Sequence, residues 1–500
     1  MTRPSSSPAK SFSGWLLPLG LLWAVILAVF WRAIFGDFLT WDDEPLIYAN
    51  PHIAQPTLAS LAWQWTHPHF FLFIPLVYTL WWLIAKATLA LGAAQLTPVS
   101  FHAANLLVHL ASTSIVYLLL RRMFKNPWAC FAGAAVFAVH PLQVEAVAWA
   151  TGMKDLLGGC LMLAAIAVYL AAGDEPRKKF KRWAAIALYV AALLAKPSAV
   201  MAPVIALVLA VLAQRRAMRT VLLELLPWFL LAAVAAAVAR RVQPAAAVSA
   251  GPIWARPWIA ADALGFYLQK LAVPIHLAID YGRTPQRVID DRDLLDAAIA
   301  VAIAIVVIRL RKWQLTAALL LFAAALLPVL GFIPFEFQVR STVADRYVYV
   351  AMLAAAMAIA FAANALPRRI AVFLAALIIA GCAVLSFVQV NYWRDSQSLY
   401  THALEVNPQS LTAAQDLAVV YDKSGQEDQA IAYYLKAIAI APDDREEYDN
   451  LALALPRAEQ AFPHTPQRWA GLHEQLARYY QSQGLSDLAR QQQTAAARLR

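Results

Sequence analysis

Trp41-Asp42-Asp43-Glu44 places three adjacent carboxylates directly after the first long apolar segment of the chain. Residues 14–35 can cross a bilayer, since about 20 residues at 1.5 Å rise span the hydrocarbon core. Acids at a membrane exit are costly to position and point to work done at the interface. They can deprotonate an acceptor hydroxyl or hold a divalent metal. Taken alone, a solvated acidic loop explains them equally well.

More polar groups collect at later exits. His140-Pro141 is followed by Glu145, Lys154 and Asp155; Lys196-Pro197 sits in a tight turn; and Asp345-Arg346-Tyr347 opens another apolar stretch. Lys and Arg at such places suit a phosphate leaving group. Together with carboxylates they suggest a lipid-linked phosphate sugar as substrate. Each residue also has a plainer reading. Lys196 can snorkel, Asp345 and Arg346 can pair structurally, and His140 can cap a helix before Pro141. No Gly-rich phosphate loop or Ser-His-Asp order competes, and Cys130, Cys160 and Cys382 lie in apolar segments without metal spacing. No cofactor motif appears, and a divalent cation held by the acids stays open.

What must position these groups is a helical membrane domain. Of 500 residues 61% are apolar and 14% charged, and the mean hydropathy is +0.56, far from soluble composition. Basic clusters mark the cytoplasmic face: Arg121, Arg122 and Lys125; Arg177 to Arg182; Arg215, Arg216 and Arg219; Arg309 to Lys312; Arg368 and Arg369. Joining them through apolar stretches gives eleven crossings, near 14–35, 100–120, 127–140, 154–172, 183–195, 198–213, 220–239, 294–308, 314–333, 346–365 and 370–390. The first is read as a retained anchor. Residues 71–93 and 258–278 would start and finish on the outer side, so they are expected in plane or re-entrant; thirteen crossings result if both span. In this topology the N-terminus is cytoplasmic. The C-terminus and every polar site named above lie outside.

Composition changes after residue 391. From Tyr392 onward 10 Lys and Arg face 14 Asp and Glu, a net charge of −4, so the pI near 9.5 reflects membrane orientation and not nucleic-acid binding. Leu417, Ala418, Tyr421, Gly425, Ala430, Tyr434, Ala437 and Pro442 fall at the spacing of a 34-residue tetratricopeptide repeat. A half-repeat precedes it (Tyr400, Ala403, Pro408), a weaker copy follows (Leu476, Ala477, Tyr480, Gly484, Ala489), and 445–465 is degenerate and proline-interrupted. The expected fold is therefore all-α: a polytopic membrane domain, 1–391, then a short repeat solenoid, 392–500. Such a solenoid offers a concave surface for peptides, or serves as a stabilising cap.

The run from Asp37 to Glu44, Asn50-Pro51, the series His102, Asn105 and His109, the run His140-Pro141-Leu142-Gln143-Val144-Glu145 through Lys154-Asp155, and Ala344-Asp345-Arg346-Tyr347 resemble the transmembrane and tetratricopeptide-repeat O-mannosyltransferases and their bacterial relatives. The resemblance implies a GT-C membrane glycosyltransferase using a polyprenyl-phosphate donor and a protein or peptide acceptor presented near the repeats. It implies that Asp42, or Asp43, is the catalytic base, with the neighbouring acid orienting the acceptor or a metal. Glu145 and Asp155 would complete the site, and Lys196 with Arg346 would bind the donor phosphate. Glu44, His140, Lys154, Asp345 and Asn105 would support them. The chain departs from the pattern at Gln143, at Met153 and in its short repeat array; these departures bear on sugar and acceptor more than on fold. A bacterial inner membrane, with the site on the periplasmic side, is the expected setting. The rival reading is a noncatalytic anchored scaffold for envelope assembly, and a transporter is weaker because the charges line one face and not the midplane.

Overall fold

The computed structural model describes residues 9–173, 178–242, 251–291, 294–333 and 335–500. Arg177 of the second basic cluster lies outside them. Among the described residues there is no strand, only an isolated bridge between His69 and Leu72. The chain forms two compact units, Met1–Ile279 with Arg283–Asp395, and Asp280–Gly282 with Ser396–Arg500. The boundary falls a few residues later than residue 391. Trp393 packs its ring 5.9 Å from Trp149, and the Arg394 carbonyl accepts the Asp37 N–H at 2.8 Å, which keeps this turn with the first unit.

Among the described residues, five helices are long and apolar enough to cross a membrane: Leu16–Phe35, Pro98–Met123, Ala150–Ala172, Met218–Val242 and Arg368–Tyr392. Pro127–Val139 and Pro141–Ala148 form a further bent pair, at 52°. The bend has a local cause, because Pro141 cannot continue the ladder and biases His140 to an extended conformation (φ −70°, ψ 136°). Three other expected spans are shorter apolar helices, Pro197–Leu212, Trp313–Val329 and Met352–Ala365. The two stretches expected in plane are helices of 16 and 17 residues, Pro75–Ala90 and Arg256–Ala272. The first starts after Phe70 and Phe71, both left-handed (φ 47° and 58°), and the second stops just before Val273-Pro274.

Small residues let the helices approach. A Cβ on Gly133 would lie 2.2 Å from the Ala356 carbonyl oxygen, so Pro127–Val139 and Met352–Ala365 meet backbone to backbone. The segment after the acidic run is packed and not solvated: Leu46, Ile47 and Ile53 are buried with Trp81, Phe101 and Met153. At about 25 cal/mol per Å² of apolar area, that cluster fixes the segment after the acidic run against three helices.

The second unit is a stack of helices, Ser396–Val406, Leu411–Lys423, Glu427–Ile440, Arg445–Ala461, Pro466–Ser482 and Ser486–Arg498. The repeat residues Leu417, Ala418, Ala430, Ala437, Leu476 and Ala477 are buried at the helix contacts. Gly425 and Gly484 adopt φ 71° and 73°, which suits glycine at the turn between paired helices. The proline-interrupted stretch is nevertheless a continuous helix through Pro456.

Candidate functional site

The groups expected at separate exits converge. Lys154 Nζ donates to Asp42 at 2.7 Å, Lys196 Nζ is bonded to Asp155, and Arg346 is bonded to Glu145. The start of the Met153–Ala172 helix projects Lys154 and Asp155 as sequence neighbours, which joins the first two pairs. The Arg346 guanidinium lies over Phe337 (4.4 Å), Tyr347 (5.0 Å) and Trp149 (5.6 Å), and Lys154 also faces the Trp149 ring at 5.4 Å. Trp149 thus carries two cations on one buried indole, a contact the polar motifs did not announce. A small cavity is lined by Asp155, Gly158, Lys196, Ser198, Arg346 and Tyr347, among others. A Cβ on Gly158 would stand 2.7 Å from Lys196 Cβ, so only glycine lets that turn close over the helix.

The four acids are not equivalent. Asp42 has a side chain 20% exposed, against 3% for Asp155 and 1% for Glu145, while Asp43 is fully buried. Glu145 accepts the Arg346 backbone N–H at 3.1 Å as well as its side chain. Both of its oxygens are engaged by Arg346, so in this structure it holds the arginine in place. The oxygens of Asp43 accept the Leu39 N–H at 2.9 Å and the Thr151 N–H at 3.0 Å, clamping the segment after the first long helix to the one that leads into the Met153–Ala172 helix. Burial pushes its pKa up from 3.8 to about 7 against those two backbone bonds.

This gives a first prediction, opposite to the milder loss expected if Asp43 only oriented an acceptor. Asn at position 43 offers one acceptor and one donor where two N–H groups converge. An unsatisfied buried N–H costs about 1–3 kcal/mol. Asp43→Asn is expected to lower the unfolding midpoint of the membrane unit, measured by thermal unfolding in detergent. An unchanged midpoint would remove the clamp.

Lys196 is pushed well below the ordinary lysine range by burial, with Arg346 and Lys154 adding repulsion and Glu145 opposing it; its ammonium is bonded to Asp155. Of the supporting residues, Asn105 Nδ2 donates to the Trp149 carbonyl at 2.6 Å and holds the segment that leads into the helix carrying Lys154. His140 Nδ1 accepts the Leu142 N–H at 3.3 Å and Nε2 faces the Leu271 carbonyl at 3.2 Å, so the capping reading holds. Glu44 opens the turn Glu44–Tyr48 and engages Tyr48, and Asp345 is buried at the start of the turn Asp345–Val348. Among the described residues no group of three or more His, Cys, Asp or Glu is arranged to hold a metal ion.

Residues 393–455 match the family model for the tetratricopeptide repeat. Over 179 residues, 33% of this chain, the sequence is 28% identical to the protein O-mannosyl-transferase Tmtc2 of Drosophila melanogaster. The chain resembles protein O-mannosyl-transferases. The human protein O-mannosyl-transferase TMTC1 is 37% identical over 81 residues, 16% of this chain and 9% of that protein. The match covers about a fifth of Tmtc2, 19% of its length. The oligosaccharyltransferase of Archaeoglobus fulgidus in its apo form superposes with a TM-score of 0.44 at 14% identity, over 77% of this chain and 57% of that one.

Proposed function

We propose that this chain is a membrane glycosyltransferase that moves a mannose-like sugar from a polyprenyl-phosphate donor onto a Ser or Thr hydroxyl of a protein, on the outer side of a bacterial inner membrane crossed about eleven times. The observation that carries the reading is the pairing of an accessible acid with a cation-lined cavity. Asp42, the most exposed acid of the cluster, is joined through Lys154 to the residue that neighbours Asp155 and sits within electrostatic reach of Arg346. Lys196 and Arg346 line the cavity itself.

In this reading Asp42 takes the acceptor hydroxyl proton as that oxygen bonds to the anomeric carbon. The bond from that carbon to the phosphate oxygen breaks, and the phosphate leaves with the electron pair. Lys196 and Arg346 take up the charge that develops there. The structure shows both cations held by acids, Asp155 and Glu145, so they are oriented before a donor arrives. Glu145 fixes Arg346 through two contacts, and Asn105 and Asp43 fix the two loops.

The test is transfer of labelled sugar from a purified polyprenyl-phosphate donor to peptide by the full chain and by a chain lacking residues 410–500. The full chain is expected to label peptide. The shortened chain is expected to bind polyprenyl phosphate equally and to label far less peptide. Absence of transfer with every polyprenyl-phosphate sugar supplied, in protein that binds the lipid, would favour the scaffold reading.

A further inference from the structure

The helix pair that presents Asp155 and Lys196 has a second charged end. Tyr169 lies 14 residues beyond Asp155 on the Met153–Ala172 helix, about 21 Å away at 1.5 Å per residue. Arg182 lies in the first part of the Lys178–Ala195 helix, whose other end leads into Lys196. Here Arg182 and Arg216 converge on one carboxylate, Glu224 of the Met218–Val242 helix. Arg182 is bonded to Glu224, Arg216 Nη2 donates to it at 2.6 Å, and the Tyr169 hydroxyl donates to it at 3.1 Å. Arg216 also donates to the Tyr169 oxygen at 3.3 Å.

The balance of charge at this end is positive. The two segments 173–183 and 213–219 carry eight Lys and Arg against two acids, and Glu224 adds one more. Neither the Lys178–Ala195 nor the Met218–Val242 helix has an acid in its first turn. Their positive dipole ends, which acids normally offset, therefore add to the field of the cations. The Arg182 Nε is buried and has no hydrogen-bond partner among the described residues, although the side chain is 30% exposed. Beside the cations stand exposed apolar groups: Phe180, Trp183, Leu222, Leu223 and Leu226. A free phosphate has no use for those; a glycerophospholipid does.

We propose that Arg182 and Arg216 form a binding site for the phosphate of an anionic glycerophospholipid, with its acyl chains lying along Leu222, Leu223 and Leu226. The site is separate from the donor cavity and does not depend on the transferase reading. Glu224 holds the two guanidinium groups in place and competes with the ligand for them, so its charge limits the affinity.

The full chain in detergent, titrated with phosphatidylglycerol or phosphatidylcholine and read by native mass spectrometry, tests this. One phosphatidylglycerol is expected to be retained per chain in preference to phosphatidylcholine. Two surface cations are each worth about fivefold, so the variant with Arg182→Gln and Arg216→Gln is expected to bind about 25-fold more weakly. Should that variant unfold because Glu224 is left unpaired, the triple variant adding Glu224→Gln removes all three charges with little change of volume and is expected to show the same loss. Glu224→Gln alone is expected to bind as tightly as the parent or more so. Equal retention of both lipids, unchanged binding in the arginine variants, or weaker binding in Glu224→Gln would overturn the site. Displacement of the lipid by glycerol phosphate at matched concentration would overturn the assignment to lipid.

Discussion

Asp42→Asn is expected to lower sugar transfer by about 10²- to 10⁴-fold, the range for loss of a positioned general base. The physical ground is the difference among the four acids. Asp43, Glu145 and Asp155 are each closed off by backbone N–H groups or a bonded cation at almost no exposure, whereas Asp42 keeps a fifth of its side chain accessible. Asn retains the acceptor oxygen facing Lys154, so the contact at 2.7 Å survives as a neutral-acceptor bond. Lys154 keeps its place over Trp149. Loss of a partly exposed ion pair costs about 1 kcal/mol or less, so the unfolding midpoint should move little. Donor affinity, measured with polyprenyl phosphate, should stay near that of the parent, because Lys196 and Arg346 are untouched. Transfer at the parental rate in this variant would dismiss Asp42 as the base. The contrast with Asp43→Asn, where stability should suffer, separates chemistry from clamping at two adjacent carboxylates.

Much of this site was legible in the sequence because its residues advertise cost. Acids and cations beside apolar segments are expensive, and Asp42, Lys154, Asp155, Lys196 and Arg346 stood out for that reason. The alternation of basic clusters with these motifs placed them on one side, and in the structure they meet. The repeat was legible from spacing alone, since small residues and a turn glycine recur where helices must touch. What the sequence could not say is which carboxylate each partner consumes. Asp43 is closed by an N–H 108 residues away and Glu145 by an arginine 201 residues away, and no local pattern encodes such pairings. Two neighbouring Asp therefore looked interchangeable when one is a base candidate and the other a clamp. Helix length was also obscured. The apolar stretch 258–278 runs on past Val273-Pro274, whereas the helix ends at Ala272.

Lys196→Ala is expected to weaken polyprenyl-phosphate binding and to slow transfer, because the same ammonium faces the phosphate in the donor and in the leaving group. The structure adds a complication that can be turned into a control. Asp155, 3% exposed, would be left without its cation, and breaking a buried pair by removing one partner costs about 3–5 kcal/mol. Lys196→Ala alone should therefore be less stable, and its poor binding could be blamed on partial unfolding. Pairing Lys196→Met with Asp155→Asn removes both charges at nearly constant volume. Stability should return toward the parent, since replacing a buried pair by neutral groups is often neutral or favourable. Donor binding should not return, because no cation replaces the lost ammonium beside Arg346. Lys196→Arg separates charge from shape: it restores the charge while its larger planar head must fit the turn over Gly158, so binding should recover in part and transfer less. Recovery of donor affinity in the neutral double variant, measured by titration with polyprenyl phosphate at equal thermal stability, would leave Lys196 as a partner of Asp155 alone. Arg346 would then carry the phosphate by itself.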